Sequence, residues 1–115
     1  MSDAPILSGV NLVTDLDQVT DFERKHTPYV AIDAIGEKVR VTIEVGHYVA
    51  HPNQADHFID WIELYADDAP IARFDLSPVA TDPAVSIVIT LDAGTVVRAV
   101  QHCNLHGLWA AEVTL

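Results

Sequence analysis

Short runs of β-branched and aromatic residues, in which apolar and polar positions tend to alternate, make up most of the chain after residue 28. A repeat of two places successive side chains on opposite faces of a strand, so each run predicts a β-strand with one face toward a core. About seven such strands are predicted. They span residues 29–35, 39–45, 58–65, 71–76, 85–91, 95–100 and 108–115.

The segments between these runs carry the residues that turns require. They are Gly36-Glu37, the loop around Pro52, Asp67-Asp68-Ala69-Pro70, Ser77-Pro78 with Asp82-Pro83, and Asp92-Ala93-Gly94. Strands at this spacing favour an all-β fold, an immunoglobulin-like β-sandwich.

Residues 1–28 lack this alternation and predict an irregular N-terminal arm. Thr20 and Glu23 stand at the spacing of a capping box, in which the two side chains cap the first turn of a helix. One helical turn is therefore predicted in the arm, and Pro28 would end it.

Length and composition favour one domain. The chain has 115 residues, of which 50% are hydrophobic, and this is enough to bury one core. We therefore expect residues 1–115 to form a single domain. The first residues lack the basic segment and apolar run of a signal peptide, and no stretch approaches a membrane helix, so we expect a cytoplasmic protein.

The chain is strongly acidic. Its 17 Asp and Glu residues outnumber its 6 Lys and Arg residues and give a net charge of −11. Such a charge repels phosphate backbones and anionic lipid headgroups, so we expect neither a nucleic acid nor a membrane as partner. Most of the basic residues fall in one short span, which predicts a local positive patch. They are Arg24, Lys25, Lys38 and Arg40.

Two pairs of potential metal ligands lie in separate segments. His51 and His57 flank one loop, and Cys103 is followed three residues later by His106. Thiolate and imidazole ligands suit iron, zinc or copper, whereas magnesium and calcium prefer oxygen ligands. The sequence therefore predicts a transition-metal site.

The residues alone leave alternatives open. His26 in the arm and His47 at the end of a predicted strand could each complete the ligand set, and their spacing does not choose between them. The single cysteine has no internal disulfide partner, so its thiol can bind metal, react or pack in the core. Without a metal, the chain would be a β-sandwich interaction domain whose histidines are grouped by coincidence.

Three segments resemble the motifs of one protein family. They are KHTP at residues 25–28, HPNQADHFIDWIEL at residues 51–64 and CNLHGLW at residues 103–109. In this order they resemble the lid motif and the two iron-site motifs of the superoxide reductase family, also called neelaredoxin and desulfoferrodoxin. The resemblance extends over roughly residues 20–115. Since no segment with four cysteines precedes it, the chain is similar to the one-iron branch of that family.

The resemblance implies a ligand set and an activity. It implies one iron ion per chain, cycling between Fe2+ and Fe3+, and reduction of superoxide by one electron to hydrogen peroxide. It further implies rubredoxin or another small electron donor as partner, and the one-iron branch suggests a homotetramer. By motif matching, the iron ligands are His26, His51, His57, Cys103 and His106, which leaves His47 and His102 in structural or surface roles.

One position departs from the family pattern. Many members have a glutamate two residues before the first histidine ligand, where it can occupy the sixth iron position, but Arg24 stands there in this chain. Glu23 could reach the iron through a shifted turn, or it could serve only the capping box. We assign Lys25 to guiding the superoxide anion and ordering a proton-donating water, with an ordinary solvated lysine as the alternative.

The departure and the acidic charge leave a second function open. It is an iron-binding electron-transfer protein of the same fold, whose iron changes oxidation state without productive superoxide reduction.

Overall fold

The computed structural model describes residues 9–115, which fold into two β-sheets packed face to face. The first eight residues of the predicted N-terminal arm lie outside the described residues. The strands are β1 (Asn11–Leu12), β2 (Tyr29–Ile35), β3 (Lys38–Glu44), β4 (Ile59–Ala66), β5 (Ala69–Asp75), β6 (Ala84–Ile89), β7 (Val96–Cys103) and β8 (Gly107–Thr114).

The larger sheet has five strands in the order β1-β8-β7-β4-β5, and the smaller has three in the order β2-β3-β6. All neighbouring strands are antiparallel except β1, which pairs in parallel with β8. A 3-10 helix (Leu16–Gln18) and one short α-helix, α1 (Asp21–His26), lie between β1 and β2. Neither helix among residues 9–115 is long or apolar enough to cross a membrane.

Alternating side chains from the two sheets meet in one core. Val41 and Ile43 of β3 are fully buried against Ile62 and Leu64 of β4. Strand β7 adds its own inward row to the same core, and this row ends in Cys103. The period-two pattern of the sequence therefore marks the residues that face inward.

Each predicted run forms a strand, and the predicted β-sandwich is confirmed. The count of about seven was low because β1, with only two residues, is too short to show alternation. Strand β7 also runs three residues beyond the predicted end at residue 100. Those added residues, Gln101, His102 and Cys103, interrupt the apolar run and so concealed the end of the strand.

The sheet register brings the candidate ligands to one end of the sandwich. Tyr29, which begins β2, pairs with Glu44, which ends β3. In the other sheet, Ile59 at the start of β4 pairs with Cys103 at the end of β7. The loop after β3, the turn after β7 and the end of α1 therefore meet at what we call the histidine end of the sandwich.

Candidate metal centre

The arm contributes His26, the last residue of α1. The predicted capping box is present: the Glu23 amide donates to the Thr20 hydroxyl, and the Glu23 carboxylate accepts from the Thr20 amide. At the other end, Thr27 donates its hydroxyl to the Glu23 carbonyl at 2.8 Å, and Pro28 follows where the helix has ended. The short helix thus has both ends fixed by local sequence.

The His26 imidazole is fully buried and oriented by two neighbours. Its Nδ1 lies 2.7 Å from the carbonyl oxygen of Phe22, and its ring stacks on Trp109 with centroids 5.1 Å apart. A neutral imidazole that donates from Nδ1 keeps a lone pair on Nε2. Burial lowers the pKa of His26, and Nε2 has no hydrogen-bond partner among the described residues.

His51 repeats this arrangement from the loop after β3. Its Nδ1 lies 2.7 Å from the carbonyl oxygen of Pro52, and its buried Nε2 has no partner within residues 9–115. Burial lowers the pKa of His51 to about 4, so the ring is neutral at physiological pH. Gly46 permits the close approach, because a Cβ there would lie 2.9 Å from the His51 amide nitrogen.

His57 closes the same loop. Its backbone exchanges two hydrogen bonds with Gln54, at 2.9 and 3.1 Å, which form an isolated β-bridge. The His57 Nε2 is a third buried imidazole nitrogen without a partner in the described part of the chain. The ring lies 4.9 Å from that of His51 and 5.2 Å from that of His106, measured between centroids.

The turn between β7 and β8 supplies the thiol and the fourth imidazole. Cys103 is fully buried, and its sulfur lies 3.7 Å from Nδ1 of the exposed His106. The turn closes at Gly107, whose φ of +81° is in the left-handed region that favours glycine. The compact spacing noted in the sequence therefore does bring both side chains to one point.

Asn104 joins this turn to the histidine loop, a role that the sequence did not indicate. Its side-chain oxygen accepts from the Phe58 amide at 2.9 Å, and its side-chain nitrogen donates to the Asp56 carbonyl at 3.0 Å. The two ligand-bearing segments are thus held together directly behind His57. An asparagine in a turn is common, so only the structure distinguishes this role.

Four ligand atoms, one each from His26, His57, Cys103 and His106, lie within 4.8 Å of one another. Two ligands on opposite sides of a transition-metal ion, each about 2.1 Å from it, lie about 4.2 Å apart. The His51 ring adjoins the group, 4.9 Å from that of His26 between centroids. Nitrogen and sulfur donors select a transition metal, and the unpartnered Nε2 atoms supply the lone pairs it needs, so these residues fit an iron ion.

The Glu23 carboxylate is engaged away from this cluster. It accepts hydrogen bonds from the amide and the hydroxyl of Thr20, at 2.8 and 3.0 Å, and these bonds lower the pKa of Glu23. Glu23 is the third residue of α1, and its carboxylate is bonded back to the residue that caps the start of the helix, whereas His26 is the last residue. Of the two roles offered by the sequence, the structure places Glu23 in the capping box.

The predicted patch of four basic residues does not form, and this correction follows from the register. Lys38 pairs with Ile35 at the far end of β3, roughly 20 Å along the strand from Glu44. Arg24 is used within the arm, where it bonds the Leu16 carbonyl and the Asp21 carboxylate, each at 3.0 Å. Lys25 remains near the site, since its charge helps to lower the pKa of both His26 and His51.

The two other histidines lie outside the cluster. The exposed His47 stacks on Tyr29 with centroids 3.7 Å apart, and its Nδ1 lies 2.9 Å from the Glu44 carboxylate. His102 lies on the face of β7 opposite Cys103, where it stacks on Trp61. Both imidazoles thus have surface partners of their own.

The chain thus brings buried imidazoles and one thiol together at the end of a β-sandwich. Such a mixed nitrogen and sulfur site defines a non-haem metalloprotein. The sequence matches the desulfoferrodoxin family over residues 18–112, and the chain belongs to that family. The resemblance found in the three motifs is thereby confirmed.

Relatives that carry the name superoxide reductase agree with this family assignment. The superoxide reductase of Pyrococcus furiosus is 32% identical over 109 residues, which cover 79% of this chain and 88% of that protein. The superoxide reductase of Pyrococcus horikoshii is 36% identical over 101 residues, covering 79% and 87%. The solved structure of the superoxide reductase from Nanoarchaeum equitans superposes with a TM-score of 0.78 at 29% identity, covering 92% of this chain and 99% of that one.

We expect Gly46→Ala to lower metal affinity by about tenfold, because the new methyl group must displace the His51 backbone. Gly94→Ala is the matched control, since Gly94 has nearly the same φ, +89° against +88°, but nothing within 4 Å of its would-be Cβ. Titration of each apoprotein with ferrous iron measures the effect. Equal affinity in the two variants would contradict the proposed role of Gly46.

Proposed function

We propose that this protein is a superoxide reductase that reduces superoxide to hydrogen peroxide at one iron ion per chain. The proposed ligands are His26, His51, His57, Cys103 and His106. The observation that carries the proposal is that three buried imidazole Nε2 atoms have no hydrogen-bond partner in residues 9–115 and belong to rings grouped beside the thiol. Family membership and relatives named superoxide reductase support the substrate.

The reaction consumes one superoxide anion, one electron and two protons and yields one hydrogen peroxide. Ferrous iron bound by these residues would supply the electron and become ferric. The two protons come from solvent, and the exposed position of His106 leaves the site open to water on that side. Regeneration of the ferrous state requires one electron from outside the chain, so each turnover uses one donor electron in all.

The protein environment keeps the nitrogen ligands available. Burial lowers the pKa of His26 and of His51, so protons do not compete for these lone pairs at neutral pH. Their Nδ1 atoms are held by the backbone carbonyls of Phe22 and Pro52, which fixes the direction of each ring. The chain therefore presents preoriented neutral imidazoles to the metal.

Cys103 supplies the anionic ligand. Its thiolate would donate electron density to a bound metal ion, and its burial excludes water from the sulfur. Held among neutral imidazoles, this soft anionic donor would suit a transition-metal ion that gives up an electron.

Lys25 is the proposed guide for the substrate. It adjoins His26 in sequence, and its charge helps to lower the pKa of His26 and of His51, which supports a position beside the cluster. In a chain of net charge −11, a local cation is needed to attract an anion to the site. The same ammonium can order a water that donates a proton.

The remaining parts of the proposal rest on the family. We assign rubredoxin or another small redox protein as the electron donor, a homotetramer as the assembly and the cytoplasm as the compartment. Residues 1–115 would act as one domain. Glu23 is not included among the ligands, because its carboxylate caps α1.

Mixing the anaerobic ferrous protein with superoxide generated by pulse radiolysis tests the activity. We expect one hydrogen peroxide per iron oxidised, without the dioxygen that dismutation would release. Stopped-flow spectra of the same mixture follow the oxidation of the metal. A protein that binds iron but is not oxidised by superoxide would instead be the electron-transfer alternative.

Variants at the proposed ligands test the site. Cys103→Ser should abolish the visible ferric charge-transfer band, because a hydroxyl is a poor substitute for a soft anionic ligand.

Alanine at His26, His51, His57 or His106 should lower the iron content, whereas His47→Ala should retain about one iron per chain. Metal analysis and absorption spectra give both readouts. A coloured serine variant, or loss of iron from the His47 variant, would overturn the assignment.

Lys25→Ala should lower the second-order rate constant for superoxide by roughly three- to tenfold at low salt, and the difference should shrink as salt screens the charge. Lys38→Ala is the matched control, because it removes the same charge from the far end of β3. Pulse radiolysis at several ionic strengths measures both variants. If the two lysine variants behave alike, Lys25 is an ordinary solvated residue.

A further inference from the structure

Gln101 is a buried amide in an otherwise apolar row. It lies on β7 between Ala99 and Cys103, on the face that points into the core, and its exposure is 0%. A polar side chain in such a place is unfavourable unless it forms hydrogen bonds. Its presence on this row therefore requires a specific partner.

That partner is the backbone of a proposed metal ligand. The side-chain nitrogen of Gln101 donates to the carbonyl oxygen of His26 at 2.8 Å, across 75 positions of sequence. The side-chain oxygen of Gln101 has no partner in the described part of the chain. All the hydrogen bonding of this buried side chain is thus directed to His26.

The neighbouring strand adds a second contact to the same residue. Trp109 of β8 is the register partner of Gln101 on β7, so the two side chains lie next to each other on one face of the sheet. Trp109 stacks on the His26 ring and donates its Nε1 hydrogen to the carbonyl of His106 at 3.1 Å. The pair therefore contacts the backbone and the ring of His26.

These contacts matter more for His26 than for the other proposed ligands. Cys103 lies on a strand, and His51, His57 and His106 lie on loops that connect strands directly. His26 instead ends a helix of six residues, and so short a helix is not stable without tertiary contacts. Its position relative to the thiol therefore depends on tertiary contacts, and Gln101 and Trp109 supply two of them.

We propose that Gln101 is a positioning residue for the metal centre, which fixes the end of α1 so that the His26 imidazole faces the ion. This inference rests on the proposed metal site, and it does not depend on whether superoxide is the substrate. Loss of the amide would free the His26 carbonyl and allow the arm to move. The ion would then lose one imidazole more readily.

Gln101→Met tests the proposal, since methionine has a similar length but no hydrogen to donate. We expect iron release to a strong chelator to become about tenfold faster, with a shift of the ferric visible band. Val97→Ala is the matched control, because Val97 is fully buried on the same inward row but lies near the opposite end of β7 from Cys103. The control should lose stability and keep the wild-type rate of release.

A double-mutant cycle separates positioning from general stability. In a His26→Ala background, Gln101→Met should add no further change in iron release, because the ligand it positions is gone. If Gln101→Met does not fold, Gln101→Leu carries the same test, since its side chain also has no hydrogen to donate to the carbonyl. Unchanged release, or full additivity with His26→Ala, would overturn the proposal, whereas a wild-type protein without metal affinity would overturn the metal site itself.

Discussion

Imidazole nitrogens that are buried without a hydrogen-bond donor are the constraint on which the rest of this structure depends. Each such nitrogen in the apoprotein lacks the water it would bind in the unfolded chain, at a cost of about 1–3 kcal/mol. His26, His51 and His57 each contribute one, and they are grouped at one end of the sandwich. A metal ion that accepts all three lone pairs removes this cost, so metal binding and folding stabilise each other.

The fold meets this constraint by ending several elements at the same place. The register of the sheets aligns the end of β3 with the start of β2, and the end of β7 with the start of β4. Asn104 then ties the histidine loop to the turn after β7, while Gly46 lets the backbone of His51 pack against it within the loop after β3. The strands therefore determine where the ligands on the connecting loops are placed.

Much of this arrangement could be predicted from the sequence, because strands with one buried face impose a period of two and the ligand motifs are compact. The choice between His26 and His47 needed the motif, and burial gives its physical reason: His26 is enclosed, whereas His47 stacks on Tyr29 at the surface. The prediction of a basic patch was wrong because nearness in sequence does not determine the strand register, which places Lys38 at the end of β3 far from the histidines. No sequence pattern indicated the role of Gln101, since a polar residue in a strand usually faces solvent.

The complete burial of Cys103 has a consequence for the durability of the protein under its proposed function. Hydrogen peroxide oxidises exposed thiolates to sulfenic acid and beyond, and the product would be formed beside the only cysteine of the chain. With 0% of its surface accessible, the sulfur is shielded from peroxide that diffuses in from solution. The packing around this residue would therefore protect the proposed ligand from oxidation by accumulated product, a property separate from the speed of each turnover.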